Sequence, residues 1–203
     1  MTGSLFIVAA PSGAGKTSLV NALVKQHDNI KLSVSHTTRP AREAESQGQD
    51  YYFISQDLFA QMRDSGDFLE SATVFDNWYG TSSEAVMTQL QQGNDVILEI
   101  DWQGAQQVRK NHPDCTSIFI LPPSKMALEQ RLRGRGQDND EVIARRMRDA
   151  ENEMAHYIEF DYLIVNDDFD VALANLTAII SAKRNLLALQ IQVQQKLLAE
   201  LLA

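Results

Sequence analysis

Between a short apolar run, Leu5–Ala9, and a stretch of helical periodicity from Lys16, the chain reads Ala10-Pro-Ser-Gly-Ala-Gly-Lys-Thr-Ser18. Few short sequences restrict a fold so tightly. Gly13 and Gly15 let successive backbone N–H groups turn inward around an anion. The helix that follows aims its positive N-terminus at the same point. Lys16 adds a charge that can bridge β- and γ-phosphates, and Thr17 a hydroxyl that can reach Mg²⁺. Residues Ala10, Pro11, Ser12, Gly13, Ala14, Gly15, Lys16 and Thr17 are therefore expected to hold the phosphates of a nucleoside triphosphate. Ala10 stands where the phosphate-loop pattern asks for glycine, and a small residue fits there if its φ is negative.

A loop of this kind needs a strand before it and a helix after it, and the rest of the chain continues that alternation. Strands are predicted over 31–35, 51–54, 68–74, 96–100, 117–121 and 161–165. Helices are predicted over 16–26, 56–64, 83–92, 104–110, 125–132, 141–157 and most of 170–203. Strand–helix alternation implies an α/β fold with a parallel sheet covered on both faces. Residues 36–93 break the rhythm and read as an inserted subdomain, with the core formed by 4–35 and 94–183. Residues 131–148 carry six arginines and read as a lid.

Val96-Ile-Leu-Glu-Ile-Asp101 places two carboxylates at the end of a β-prone run. Glu99 and Asp101 alternate, so they share one side of the strand and reach the crevice at its carboxyl end. The net charge of −9 disfavours a nucleic-acid partner, so a phosphate ligand must be met by local positive charge. Arg39, Arg42 and the lid arginines supply it. Cys115 is the lone cysteine, which fits a reducing compartment and a cytoplasmic location. No run is long enough to span a membrane, and no basic segment precedes the apolar residues near the start. His27, His36, His112 and His156 lack ligand spacing, and Trp78 and Trp102 read as packing residues.

Several motifs recur in a fixed order: Ser33-Val-Ser-His-Thr-Thr-Arg39, Gly48-Gln-Asp-Tyr-Tyr-Phe53, Phe68-Leu-Glu70, Tyr79-Gly-Thr-Ser82, Asp101-Trp-Gln-Gly104 and Val165-Asn-Asp-Asp168. Together they resemble guanylate kinase in its bacterial form, from about residue 4 to residue 183. The resemblance implies a phosphate-loop kinase fold with a GMP-binding insertion and a lid, and the reaction ATP + GMP ⇌ ADP + GDP with Mg²⁺. It implies that Ser35, Arg39, Arg42, Tyr51 and Tyr79 hold the GMP phosphate, and that Glu70 and Thr81 read guanine. That chemistry is sensible. Guanidinium forks suit a dianion, and a carboxylate can accept from guanine N1–H and N2–H₂ together. By the same resemblance Asp101 lies near the base, Arg135 and Arg146 close over the phosphates, and Asn166 meets adenine. Lys16, Arg39, Arg42, Arg135 and Arg146 would spread the charge of the transferred group. Thr17 and, through water, Glu99 would serve Mg²⁺.

The chain departs from the family in its loop Arg39-Pro-Ala-Arg-Glu-Ala-Glu45, where Ala41 and Ala44 replace proline and glycine, and at Glu99, where aspartate is usual. Guanylate-kinase-like scaffolding modules typically lose the loop lysine or the lid arginines, and both are kept here. Sugar-phosphate kinases share the fold, but the Glu70 and Thr81 pair argues against that reading. Residues 184–203 extend past the resemblance. Their leucine-rich surface is too broad for a helix alone on a monomer, so packing into a homo-oligomer is expected.

Overall fold

The computed structural model describes residues 3–74, 76–134 and 139–203. The chain begins with β1 (Leu5–Ala9), α1 (Lys16–Gln26), β2 (Ile30–Leu32), β3 (His36–Thr37), β4 (Tyr52–Phe53) and α2 (Gln56–Asp64). It continues through β5 (Phe68–Val74), β6 (Asn77–Ser82), α3 (Ser83–Gln91), β7 (Asp95–Glu99), α4 (Trp102–Asn111) and β8 (Thr116–Leu121). Then come α5 (Lys125–Gly134), α6 (Asp140–Ala155), a 3₁₀ turn at His156–Glu159, β9 (Tyr162–Val165), α7 (Phe169–Arg184), α8 (Leu187–Val193) and α9 (Gln195–Leu202).

Five strands form an all-parallel sheet in the order β2-β7-β1-β8-β9. Its pleat sorts side chains onto two faces. Phe6, Val8, Ile97, Ile118, Ile120 and Ile164 pack against Leu19, Val20 and Leu23 of α1 and Leu173, Leu176 and Ile180 of α7. Leu5, Ile7, Val96 and Leu98 pack the other way, against Val86 and Leu90 of α3 and Ala105 and Val108 of α4. Each such side chain, removed fully from water, contributes about 1.5–3 kcal/mol. The expected α/β fold with helices on both faces is what the chain forms.

A second sheet, ordered β4-β3-β6-β5, is built from residues of 36–82. β3 pairs parallel to β4 and antiparallel to β6, and β6 pairs antiparallel to β5. The sheet is tied to the core along β5, where Ser71 N–H donates to Gln107 Oε1 at 3.1 Å and Gln107 Nε2 donates back to the Ser71 carbonyl at 2.8 Å.

Three departures from the sequence reading have physical causes. The strand expected over 31–35 stops at Leu32, because the chain leaves the first sheet and enters the second at His36. β6 was not expected: Asn77-Trp-Tyr-Gly-Thr-Ser82 lacks strong apolar alternation, and its pairing with β5 decides its state. α4 starts two residues earlier than expected, because the Asp101 carboxylate caps it by accepting from Gly104 N–H at 2.9 Å.

The tail expected to be mostly helical is broken at Asn185–Leu186 and again at Gln194. Leu186, Leu187, Ile191, Leu197, Leu201 and Leu202 on it are exposed, the last at 83%. Among the described residues no helix is long and apolar enough to cross a membrane.

Candidate active site

At the carboxyl edge of the main sheet, a crevice of about 600 Å³ separates the two sheets. It is lined by Ala10, Pro11, Ser12, Gly13, Gly15, Lys16 and Thr17 on one wall, and by Ser35, Arg39, Arg42, Tyr51, Glu70 and Tyr79 on the other. Glu99, Asp101 and Arg146 also line it. Three expected residues stand behind this surface: Ala14, Thr81 and Asn166 are buried. Arg135 lies outside the described residues.

The loop has the geometry its sequence implies. Gly13 and Gly15 take φ of 94° and 93°, a left-handed backbone that other residues adopt at a cost. Ala10 needs no such conformation, since Asp76 alone among described non-glycine residues has positive φ. α2, α3, α4, α6 and α7 each begin at a side chain that accepts from a first-turn N–H. α1 begins at Gly15 with no such cap. Its N-terminal donors are thus left to an outside anion. Lys16 Nζ donates to the Ile100 carbonyl at 3.2 Å, and the Thr17 hydroxyl donates to Glu99.

Asn166 braces this loop from below. Its Nδ2 donates to the Ala14 carbonyl at 2.7 Å, and Arg131 reaches the same carbonyl and that of Asn166. A Cβ at Gly15 would sit 2.4 Å from Asn166 Nδ2, so glycine is required there for space as well as for φ.

On the opposite wall Glu45 organises the arginines. It takes both prongs of Arg39 at 2.8 and 2.9 Å and the Arg42 N–H at 2.8 Å. Those hydrogen bonds hold the Glu45 carboxyl below its usual pKa and the Arg39 guanidinium above its own. Arg39 also lies 5.4 Å over the Tyr51 ring, which stands edge-on to Tyr79. Burial, with the charge of Glu99 behind it, pushes the Tyr51 hydroxyl up to about 12, so it is a neutral donor at physiological pH. Sequence reading passed over Glu45. Its acidic side chain three residues after one arginine and six after the other was the available signal.

Glu70 is 4% exposed at the deep end of β5. Thr81 of the neighbouring strand donates its hydroxyl to Glu70 Oε1 at 2.6 Å, and Ser35 Oγ lies 3.4 Å from that hydroxyl. A Cβ on Gly104 would come within 2.4 Å of Glu70 Oε2, so the first turn of α4 must be bare where the carboxylate backs onto it. Loss of water around the carboxyl raises its pKa to about 7, against the Thr81 hydrogen bond, which lowers it. Glu153, also passed over in the sequence, enters the crevice from α6 and accepts from Ser12 N–H at 3.2 Å.

The arrangement offers one wall of converging amides for a polyphosphate and a facing wall of guanidinium and hydroxyl groups for a second anion. A buried acceptor lies where a base could reach it. A family model described as guanylate kinase matches residues 2–183. A guanylate kinase of Alkalilimnicola ehrlichii is 58% identical over 202 residues, covering 100% of this chain and 98% of the relative. One of Nitrosococcus oceani is 58% identical over 202 residues and 100% of both chains. The crystal structure of guanylate kinase from Anaplasma phagocytophilum superposes with a TM-score of 0.77 at 31% identity, covering 96% of this chain and 93% of that one. The chain belongs to the guanylate kinase family, and its reaction is the transfer of the γ-phosphoryl group of ATP to GMP.

Proposed function

We propose that the transfer takes place across this crevice, with ATP on Ala10–Thr17 and GMP on the wall formed by the second sheet. The observation that carries the reading is the crevice itself, which gathers Lys16, Arg39 with Arg42, Glu70 and Arg146 from four separate stretches of chain. Arg39, Arg42, Ser35, Tyr51 and Tyr79 hold the GMP phosphate, and Glu70 accepts from guanine N1–H and N2–H₂. The Thr81 hydroxyl gives its single proton to Glu70 Oε1 at 2.6 Å, so it serves guanine by steadying that carboxylate. Asp101 caps α4 and keeps Gly104 against Glu70, so it serves the base through position. Asn166 supports the loop beneath the adenine end of ATP. A GMP phosphate oxygen attacks in line, and Lys16, Arg39, Arg42, Arg135 and Arg146 spread the charge that develops.

The family's reaction uses a divalent cation, and we assign it as Mg²⁺. Among the described residues no group of three or more His, Cys, Asp or Glu side chains is gathered for a metal. The adjoining Thr17 hydroxyl and Glu99 carboxylate are hard oxygen donors. That sparse set fits Mg²⁺, which takes few protein oxygens and arrives with substrate phosphates. Bound there, the cation would neutralise phosphate charge.

Residues 4–183 form the catalytic unit, with core 4–35 and 94–183, insertion 36–93 and lid 131–148. The exposed leucines of 184–203 serve a contact between copies, and the enzyme works in the cytoplasm. ADP formation measured with GMP, IMP, AMP and a sugar phosphate tests the site. GMP should be used best by at least ~100-fold over AMP, as for sites whose polar groups would be left unmatched. Equal turnover of AMP would sink the assignment of Glu70.

A further inference from the structure

Glu153 has no part in the transfer just described, yet its carboxylate is inside the crevice. The Ser12 N–H that it accepts belongs to the loop whose amides are to face ATP. The two residues are 141 positions apart, so the contact joins the loop directly to α6. α6 and α5 lean on the loop at a second point. Leu128 and Leu132 of α5 pack with Met147 and Ala150 of α6, and a Cβ on Gly13 would come within 3.0 Å of each of those leucines. Glu153 and Arg146 lie seven positions apart on α6, two turns, so they share one face about 10 Å apart along the axis. Both line the crevice.

We propose that Glu153 is a positioning residue that competes with phosphate for the Ser12 amide: ATP takes that amide in its place, releasing α6 and the Arg146 it carries.

A carboxylate oxygen and a phosphate oxygen accept the same hydrogen and carry the same sign of charge. One amide serves one of them well, and two anions side by side repel in a crevice that excludes much water. On the shared face of α6 the approach of phosphate draws Arg146 and repels Glu153. The same helix is thereby unlatched at one point and pulled at another. The groups facing Glu153 agree with a poised contact. Lys16 from α1 favours its charged form, and Asp101 at the start of α4 and Asp149 on its own helix oppose it. Burial, with Asp101 and Asp149 acting in the same direction, outweighs Lys16 and the Ser12 N–H and brings its pKa to about 7. Near neutral pH the carboxylate is therefore only partly charged, which eases its exchange for phosphate.

The inference rests on Ala10–Thr17 being the ATP loop, and the test separates the two. Calorimetric titration of the full-length chain with a non-hydrolysable ATP analogue, at pH 6 and pH 8.5, compares wild type, Glu153→Gln, Glu153→Ala and Lys16→Ala. At pH 8.5 both Glu153 variants should bind about 3- to 10-fold more tightly than wild type, the scale of one partly screened charge pair. At pH 6, where the wild-type carboxyl is neutral, the advantage of Glu153→Gln should vanish. Glu153→Gln keeps an oxygen that can accept from Ser12, so it controls for lost packing. A carboxylate that only braced the loop would give weaker binding in Glu153→Ala with Glu153→Gln close to wild type, and either of those results at pH 8.5 overturns the proposal. Loss of binding in Lys16→Ala with neutral Glu153 variants removes the inference and leaves the loop assignment standing. Undiminished binding in Lys16→Ala overturns both.

Discussion

Replacing Glu70 with glutamine should make the protein more stable and a worse enzyme. Glu70 is 4% exposed, and burial raises its carboxyl from the ordinary 4.5 to about 7. A carboxyl whose pKa is raised on folding binds its proton more tightly in the folded state. Its contribution is most favourable below pH 4.5 and is lost progressively as pH rises through 7. The shift corresponds to a cost on the order of 3 kcal/mol at pH 8. Glutamine keeps the shape without the charge. Its gain is smaller than that cost, because one of its ends must turn a donor toward Thr81 or the Gly104 turn. Denaturant unfolding should therefore show Glu70→Gln more stable than wild type by about 1–2 kcal/mol at pH 8, with no advantage at pH 4.

The catalytic effect runs the other way. Guanine offers two donors, and the carboxylate accepts both, whereas the amide meets one of them with a donor of its own. The loss in kcat/KM for GMP should be roughly 10- to 100-fold, about 1.4–2.8 kcal/mol, with little change in the KM for ATP. Wild-type kcat/KM for GMP should also fall as pH drops through about 7, since the neutral carboxyl loses an acceptor. Glu70→Gln should be flatter in that window. Steady-state assays from pH 5.5 to 8.5 and urea melts at pH 4 and 8 check both halves. A variant that keeps wild-type GMP turnover and is less stable at pH 8 would refute the reasoning at both ends.

Three further outcomes are expected. Gly104→Ala pushes a methyl to within 2.4 Å of the Glu70 carboxylate and should raise the KM for GMP by about tenfold, read by titration at saturating ATP, while the KM for ATP holds. Arg146→Ala should lower kcat by roughly 10²- to 10³-fold if it clamps the developing charge, and a near-normal kcat would remove it from the mechanism. Ending the chain after Asn185 removes the exposed leucines of α8 and α9 yet keeps the 2.6 Å Arg184–Asp95 ion pair that ties α7 to β7. Light scattering should then show a smaller particle, and an unchanged mass would exclude the tail from assembly.

What could be read in advance was whatever is written locally. The loop of Ala10–Thr17 encodes its own turn, and Leu5–Ala9 encodes a strand through an unbroken apolar run. Arg39, Arg42 and Glu70 were legible because each sits in a recognisable string. Glu45 ends the same string as the arginines, yet its part in holding them shows only in the structure, and Glu153 reads as a solvated carboxylate until its partner 141 positions away is seen to meet it. Gly104 reads as a turn or helix-start glycine, and only the approach of Glu70 shows that its bareness serves the base pocket. β3 and β6 are short or weakly patterned, and pairing alone makes them strands.

The order of the main sheet also sets a timetable for making the molecule. β1 precedes every other strand of this sheet in the chain, but its two neighbours are β7 and β8, and the later of these ends at Leu121. At roughly 5–20 residues per second on the ribosome, β1 waits about 6–20 s for its second partner to be made. The hairpin of β5 and β6 closes over a few residues and can form meanwhile. During that interval Phe6, Ile7 and Val8, fully buried in the finished protein, have no sheet to enter. Their shielding in the nascent chain falls to whatever meets the emerging polypeptide, so the most interior strand of the finished enzyme is also the one longest exposed during its birth.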